Sequence, residues 1–230
     1  MTGRDTPPSV QDGPFGYEPP GPDSFGTTSG AGKKSSSLAD RPQFPMTNTT
    51  EIAPGSFVTL VSIEALCSMV LLAGYAPKGS FAEVGVYQGG SAAVLYELAE
   101  RQGRNLHLFD TWEGMPFCGE NDDLPVGCFA DVDLPKLKRE MPRAKFYQGI
   151  FPETMPKYLE PLAFVHVDCD QYQSILDSID YLFPLLVDGG VMLFDDWTHL
   201  PGAQKAIMQR FNQARMTPQG KPFVIKGVSS

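Results

Sequence analysis

Phe81-Ala82-Glu83-Val84-Gly85-Val86-Tyr87-Gln88-Gly89-Gly90-Ser91 runs from an apolar stretch through glycines into a helix-forming segment that reaches Arg101. The stretch is short and almost free of charge, as expected of a strand buried on both faces. Gly85 lets the backbone approach a ligand closely. Gly89 and Gly90 permit a tight turn that aims the first N–H groups of the helix at an anion. Outward from this unit the elements alternate. Strands are expected at Phe81–Val86, Leu106–Phe109, Lys145–Gln148, Phe164–Val167, Val191–Phe194 and Phe223–Lys226. Helices are expected at Phe57–Ala73, closed by Gly74, and at Ser91–Arg101, Leu134–Met141, Gln173–Leu186 and Ala203–Arg215. Such a series predicts an α/β fold with a mostly parallel sheet and helices on both faces.

Two of the strands end in acid. Asp168-Cys169-Asp170 follows Ala163–Val167, and Asp195-Asp196 follows Gly189–Phe194. Open α/β sheets bind ligands at the carboxyl ends of their strands. A single aspartate there reads first as a helix N-cap. Four at two strand ends repel one another, and a hard divalent cation such as Mg²⁺, which prefers oxygen ligands, would hold three of them ionised at neutral pH.

Composition narrows the function classes. With 230 residues and 42% hydrophobic content, one sizeable core can be buried. The net charge of −9 argues against a nucleic-acid partner. The most apolar segment, Phe57 to Gly74, is interrupted by Ser62, Glu64 and Ser68 and reads as a core helix, so no membrane partner is expected. Cys67, Cys118, Cys128 and Cys169 show neither paired nor zinc-type spacing, which points to free thiols in a reducing, cytoplasmic setting. Residues 1–50 hold eight of the 21 prolines and seven of the 23 glycines, and read as a flexible or partner-dependent arm. Phe15, Tyr17 and Phe25 are candidate anchors on a neighbouring subunit, so a homo-oligomer is expected. Residues 51–230 form the folded domain.

Two nucleotide readings of the glycine loop fail. Tyr87 stands where a dinucleotide fingerprint needs its second glycine, and no lysine follows Gly90 as a phosphate loop requires. An E-x-G-x-x-x-G turn fits S-adenosylmethionine instead: the helix terminus can receive its carboxylate, and Glu83 offers a counter-charge to its cationic end. Asp110 ends the next strand, where an acidic side chain can accept hydrogen bonds from both ribose hydroxyls; the competing reading is a turn residue before Thr111-Trp112. The stretch of about 20 residues from Trp112 to Val132 shows no periodicity and reads as a lid, with Glu120, Asp122 and Asp123 at its solvated tip. His107 and His166 read as core histidines. His199 follows Asp196 closely but is the weaker candidate for a base.

Five ordered blocks resemble the macrocin O-methyltransferase family: Glu83–Ser91, Phe109–Pro116, Gln148–Pro156, Val167–Tyr172 and Gly189–Trp197. The resemblance covers about residues 55 to 226. It implies a Rossmann-like class I methyltransferase fold that uses S-adenosylmethionine and Mg²⁺ to methylate a hydroxyl of a small molecule, often a sugar of a secondary metabolite. Carried over, Asp168, Asp195 and Asp196 are metal ligands and Asp170 is the general base. Glu83, Gly85, Tyr87, Gly89, Gly90, Ser91, Asp110, Thr111, Trp112, Gly149, Ile150 and Asp168 surround the cofactor; Trp112 reads as a packing residue as well, and it and Ile150 are placed to border the adenine. Trp197 departs from the family's tyrosine, and the short segment after Asp196 leaves little room for the usual final β-hairpin. Two rival readings stand beside this one. A catechol-like phenol methyltransferase would share the metal triad, though those enzymes carry an Asp-Asn pair at the second strand end. A non-catalytic binding protein on the same fold would have less use for four intact aspartates.

Overall fold

A computed structural model describes residues 50–53 and 57–228. The arm expected before residue 50 and its anchoring aromatics lie outside them. Strands β1 (Thr50–Ala53) and β2 (Phe57–Thr59) form an antiparallel pair. The helix expected from Phe57 therefore begins later, as α1 (Ile63–Tyr75). The β-branched Val58 and Thr59 favour a strand, and the Ser62 side chain accepts from Ala65 N at the true N-terminus of α1. Helix α1 also runs past Gly74. Its stop comes from Pro77, which disfavours helical backbone at Ala76.

The remaining elements are β3 (Ser80–Val84), α2 (Gly90–Gln102), β4 (Leu106–Asp110), α3 (Leu134–Glu140), β5 (Lys145–Gln148), β6 (Leu162–Val167), α4 (Tyr172–Leu182), β7 (Leu186–Phe194), α5 (Pro201–Arg210), β8 (Arg215–Met216) and β9 (Pro222–Ile225). Helix α4 ends four residues earlier than expected. Pro184 cannot continue it, and a 3-10 turn, Phe183–Leu185, leads directly into a longer β7. Strand β8 has only two residues, yet it pairs with β9. The final hairpin is thus present in shortened form.

The sheet order is β5-β4-β3-β6-β7-β9-β8, with β5 to β7 parallel and β9 antiparallel to β7. The chain winds from β3 outward to β5, then returns to the other side of β3 as β6. That reversal makes the gap between β3 and β6 the topological switch point. One face of the sheet buries Phe81, Leu106, Leu108 and Phe164 against α1, α2 and α3. The other buries Val84, Val165, Val167 and Met192 against α4 and α5. No described helix is long and apolar enough to cross a membrane.

Candidate active site

Hydrogen bonds that continue past the strand ends bring the acidic residues into one row. Gly85 N donates to Phe109 O at 3.0 Å, Asp168 N to Val84 O at 2.8 Å, and Asp195 N to Val167 O at 3.0 Å. The parallel register thereby aligns Asp110, Gly85, Asp168 and Asp195 across four neighbouring strands. Gly85 has φ +85°, and a Cβ there would lie 1.9 Å from Asp168 O. The close approach that requires this glycine is to the backbone at the end of β6. Gly89, at φ +82° with its N–H donating to Val86 O at 2.9 Å, makes the tight turn into α2, and a Cβ on it would meet the Leu137 side chain of α3 at 2.8 Å. A Cβ on Gly90 would stand 2.6 Å from Val58 O, so Gly90 also packs the start of α2 against β2.

Asp168, Asp195 and Asp196 each offer a carboxylate oxygen, all within 4.8 Å of one another. Burial and mutual repulsion raise Asp168 well above the ordinary carboxylate range, and burial together with Asp195 pushes Asp196 up to about 6. Three half-buried oxygen donors that repel one another suit a hard divalent cation. Asp170 stands beside them. Its N–H donates to Asp196 Oδ2 at 2.9 Å, and burial plus the neighbouring Asp196 raise its own carboxyl well above the usual range. Its φ of +59°, with Gln171 N donating back to Cys169 O at 2.5 Å, closes a strained three-residue turn. A non-glycine residue held there costs on the order of 1–3 kcal/mol, and such strain clusters at functional sites.

Two adjoining clefts open from this row. One is lined by Gly85, Tyr87, Asp110, Thr111, Met115, Gly149, Ile150, Asp168 and Asp170. The other is lined by Leu60, Tyr87, Gly90, Ser91, Phe129, Asp168, Asp170, Asp195 and Asp196. Most residues expected around a cofactor therefore meet on these walls. Three do not: Gly89, at the turn into α2, lines neither cleft, and Glu83 and Trp112 are drawn elsewhere. Strand alternation sends Glu83 to the α1–α2 face, where it is fully buried and lies 2.7 Å from His166 Nδ1. Trp112 turns away at φ +49° and packs against Phe146, its indole nitrogen unpartnered. His166 is a core residue, but a paired one. His107 is likewise buried, against Tyr147 and Glu160, and His199 is exposed and lines neither cleft.

Asp110 does more than the sequence indicated. Its Oδ2 accepts from Val86 N at 2.6 Å and Tyr87 N at 2.9 Å, and its Oδ1 from Trp112 N at 2.7 Å. The carboxylate clasps the glycine loop to the end of β4 and keeps about one of its four acceptor positions for a ligand. The expected lid is ordered and docked. Met115 N donates to Cys128 O at 2.8 Å and closes its neck. Tyr87 Oη donates to Asp131 Oδ1 at 2.9 Å, and Gln88 Nε2 to Asp131 Oδ2 at 3.0 Å. Asp122 is no solvated tip: its Oδ1 accepts from Tyr172 N at 2.7 Å and caps α4, whose own N-cap residue Gln171 supplies no side-chain bond. Lys221, which no motif singled out, donates to Asp195 from the turn before β9.

Comparison with known proteins decides the family. The sequence matches the family described as Macrocin-O-methyltransferase (TylF) over residues 60–220. The chain belongs to the macrocin O-methyltransferase family. Among curated members, it is 29% identical over 164 residues to 8-demethyl-8-(2,3-dimethoxy-alpha-L-rhamnosyl)-tetracenomycin-C 4'-O-methyltransferase of Streptomyces olivaceus, covering 60% of this chain and 62% of that protein. It is 27% identical over 151 residues to mycinamicin III 3''-O-methyltransferase of Micromonospora griseorubida, covering 56% and 59%. The chain thus spans about six-tenths of the length of these relatives. Its fold is shared with the O-methyltransferase NovP, at a TM-score of 0.63 and 20% identity over 73% of this chain and 81% of that one. The calicheamicin methyltransferase CalS11 follows at a TM-score of 0.62 and 21% identity, covering 71% and 78%.

Proposed function

We propose that the chain is an S-adenosylmethionine-dependent, divalent-metal-assisted O-methyltransferase acting on a hydroxyl of a small molecule, a sugar of a secondary metabolite being the favoured class. The observation that carries this reading is the meeting of Asp168, Asp195 and Asp196 at the switch point, with Asp170 held in strained backbone beside them and facing the same two clefts. Membership of the family supports methyl transfer, and the sugar-directed names of the two curated relatives support the acceptor class.

The residues divide the work. Asp110 and the Gly85–Ser91 loop shape the cofactor cleft, with Thr111, Gly149 and Ile150 on its opposite wall. When bound, S-adenosylmethionine supplies an activated methyl group whose thioether leaving group needs no proton. A divalent cation, which Asp168, Asp195 and Asp196 would hold, would supply charge that lowers the acceptor hydroxyl's pKa. Asp170 then takes the hydroxyl proton on a carboxylate oxygen. Its N–H is tied to Asp196 and the residue lines both clefts, which supports that role. Tyr87 and Phe129, ring centroids 5.3 Å apart, line both clefts, Phe129 being supplied by the docked lid.

The four free cysteines support a reducing, cytoplasmic setting, and the exposed ridge of Ile63, Leu71 and Tyr75 on α1 supports a homo-oligomer. The test is formation of S-adenosylhomocysteine from S-adenosylmethionine across a panel of hydroxylated sugars. Chelation should abolish turnover, added Mg²⁺ should restore it, and Asp195→Ala should raise the Mg²⁺ concentration required. Full activity after exhaustive chelation would overturn the metal assignment.

A further inference from the structure

We infer that Lys221 is a resident counter-charge of the carboxylate site, and that the shortened C-terminal hairpin is retained to deliver it. The inference rests on the divalent-cation reading above. Lys221 Nζ lies 2.8 Å from Asp195 Oδ2 and also donates to the Asp195 backbone oxygen at 2.8 Å. Two contacts to one residue fix the ammonium against that carboxylate, which is one of the three that meet with Asp168 and Asp196.

The turn that carries Lys221 is built to hold it. Lys221 N donates to Thr217 Oγ1 at 3.1 Å, Thr217 N donates to Lys221 O at 2.9 Å, and Thr217 is itself buried. Gln219, at the same turn, accepts from Ser68 Oγ at 2.6 Å and so ties the turn to α1. The lysine therefore arrives at Asp195 on a braced support rather than on a loose surface loop. This gives β8, only two residues long, a purpose: it closes the hairpin whose turn sets the lysine.

Its position has two consequences of opposite sign. Four carboxylates at one sheet edge repel one another, so a fixed ammonium steadies the protein when no cation is bound. The same ammonium repels a divalent cation and competes with it for Asp195, so it weakens cation binding. Removing the charge should therefore tighten metal binding while loosening the metal-free fold. A lysine that only braced the hairpin would do the second without the first.

The experiment is a calorimetric titration of the full chain with Mn²⁺, paired with thermal melts in chelator, for wild type, Lys221→Met, Lys221→Gln and Lys221→Arg. Both neutral variants should bind Mn²⁺ about tenfold tighter than wild type, the order expected for removing one like charge at a site near the surface. Their metal-free midpoints should fall, and saturating Mn²⁺ should erase that deficit. Lys221→Arg should stay close to wild type in both measurements. Equal or weaker Mn²⁺ binding by the neutral variants, with wild type still binding, overturns the inference alone. Absence of Mn²⁺ binding in wild type and variants alike overturns the divalent-cation reading and the inference with it.

Discussion

Asp110→Ala separates two roles that meet in one side chain. The substitution removes an ionised acceptor from the N–H groups of Val86, Tyr87 and Trp112, at 2.6, 2.9 and 2.7 Å. Hydrogen bonds to charged groups contribute about 1.5–3 kcal/mol each, but three that share one carboxylate do not add, and water can reach a partly exposed loop. A net loss of about 3–4 kcal/mol is expected. For a chain of this size each kcal/mol moves the thermal midpoint by about 2–4 °C, so the midpoint should drop by roughly 6–15 °C. Asp110→Asn should fall between, because its amide group must face at least one of the three donors. The second readout is calorimetric affinity for S-adenosylhomocysteine at a temperature where the variant is still folded. With about one acceptor position left for the ribose, affinity should weaken by about 1.5–3 kcal/mol, or roughly 10- to 100-fold. A midpoint within about 2 °C of wild type would refute the clasp. A full loss of midpoint with unchanged affinity would confine Asp110 to the clasp and remove it from the cofactor.

Four shorter expectations follow from the same geometry. Asp170→Asn keeps size and tolerates the positive φ, so single-turnover chemistry should slow by about 10²–10⁴-fold while metal and cofactor affinities stay within a few-fold; a near-normal chemical step would remove Asp170 as the base. Asp196, raised to about 6 in the fold, holds its proton more tightly than in the unfolded chain, so its contribution to stability is full below about pH 4 and lost as pH rises through 6. The metal-free midpoint should therefore fall between pH 5 and 7.5, and Mg²⁺ should raise it more at 7.5 than at 5; a Mg²⁺ effect larger at pH 5 would contradict this. Gly85→Ala drives a Cβ to 1.9 Å from Asp168 O at a backbone angle alanine resists, so folded yield should collapse; a soluble variant with a wild-type melt would show that β6 can give way there. Asp122→Ala removes the cap on α4 supplied by the lid, which should cost about 0.5–2 kcal/mol in a chemical denaturation curve, with no change in slope.

How far the fold was legible follows from where its signals are local. The runs Phe81–Val84 and Leu106–Phe109 declare themselves as strands because burial on both faces demands β-favouring, mostly apolar residues, while the edge strand Lys145–Gln148 shows only the half-buried pair Phe146 and Tyr147 between exposed ends; the alternation with helices then dictates a parallel sheet. The ends of elements were less legible. Phe57 to Gly74 has helical periodicity throughout, yet pairing with β1 claims Phe57–Thr59, and that partner is set by the fold. The lid's order was invisible for a similar reason. Its bonds reach from Asp122 to Tyr172 and from Asp131 to Tyr87, separations of 50 and 44 residues that no local pattern encodes.

By itself, the sequence determined that four aspartates stand at two strand ends, that a glycine turn precedes a helix, and that five ordered blocks resemble one family. Each is a matter of residue type at a short spacing, which the chain carries before it folds. Only the tertiary structure decided which groups face one another. Alternation along β3 turned Glu83 toward His166 and away from the cleft, parallel register set Asp168 beside Asp195, and the returning hairpin brought Lys221 to the same carboxylate. Facing is a property of strand parity, register and topology. A sequence expresses these only once distant segments have paired.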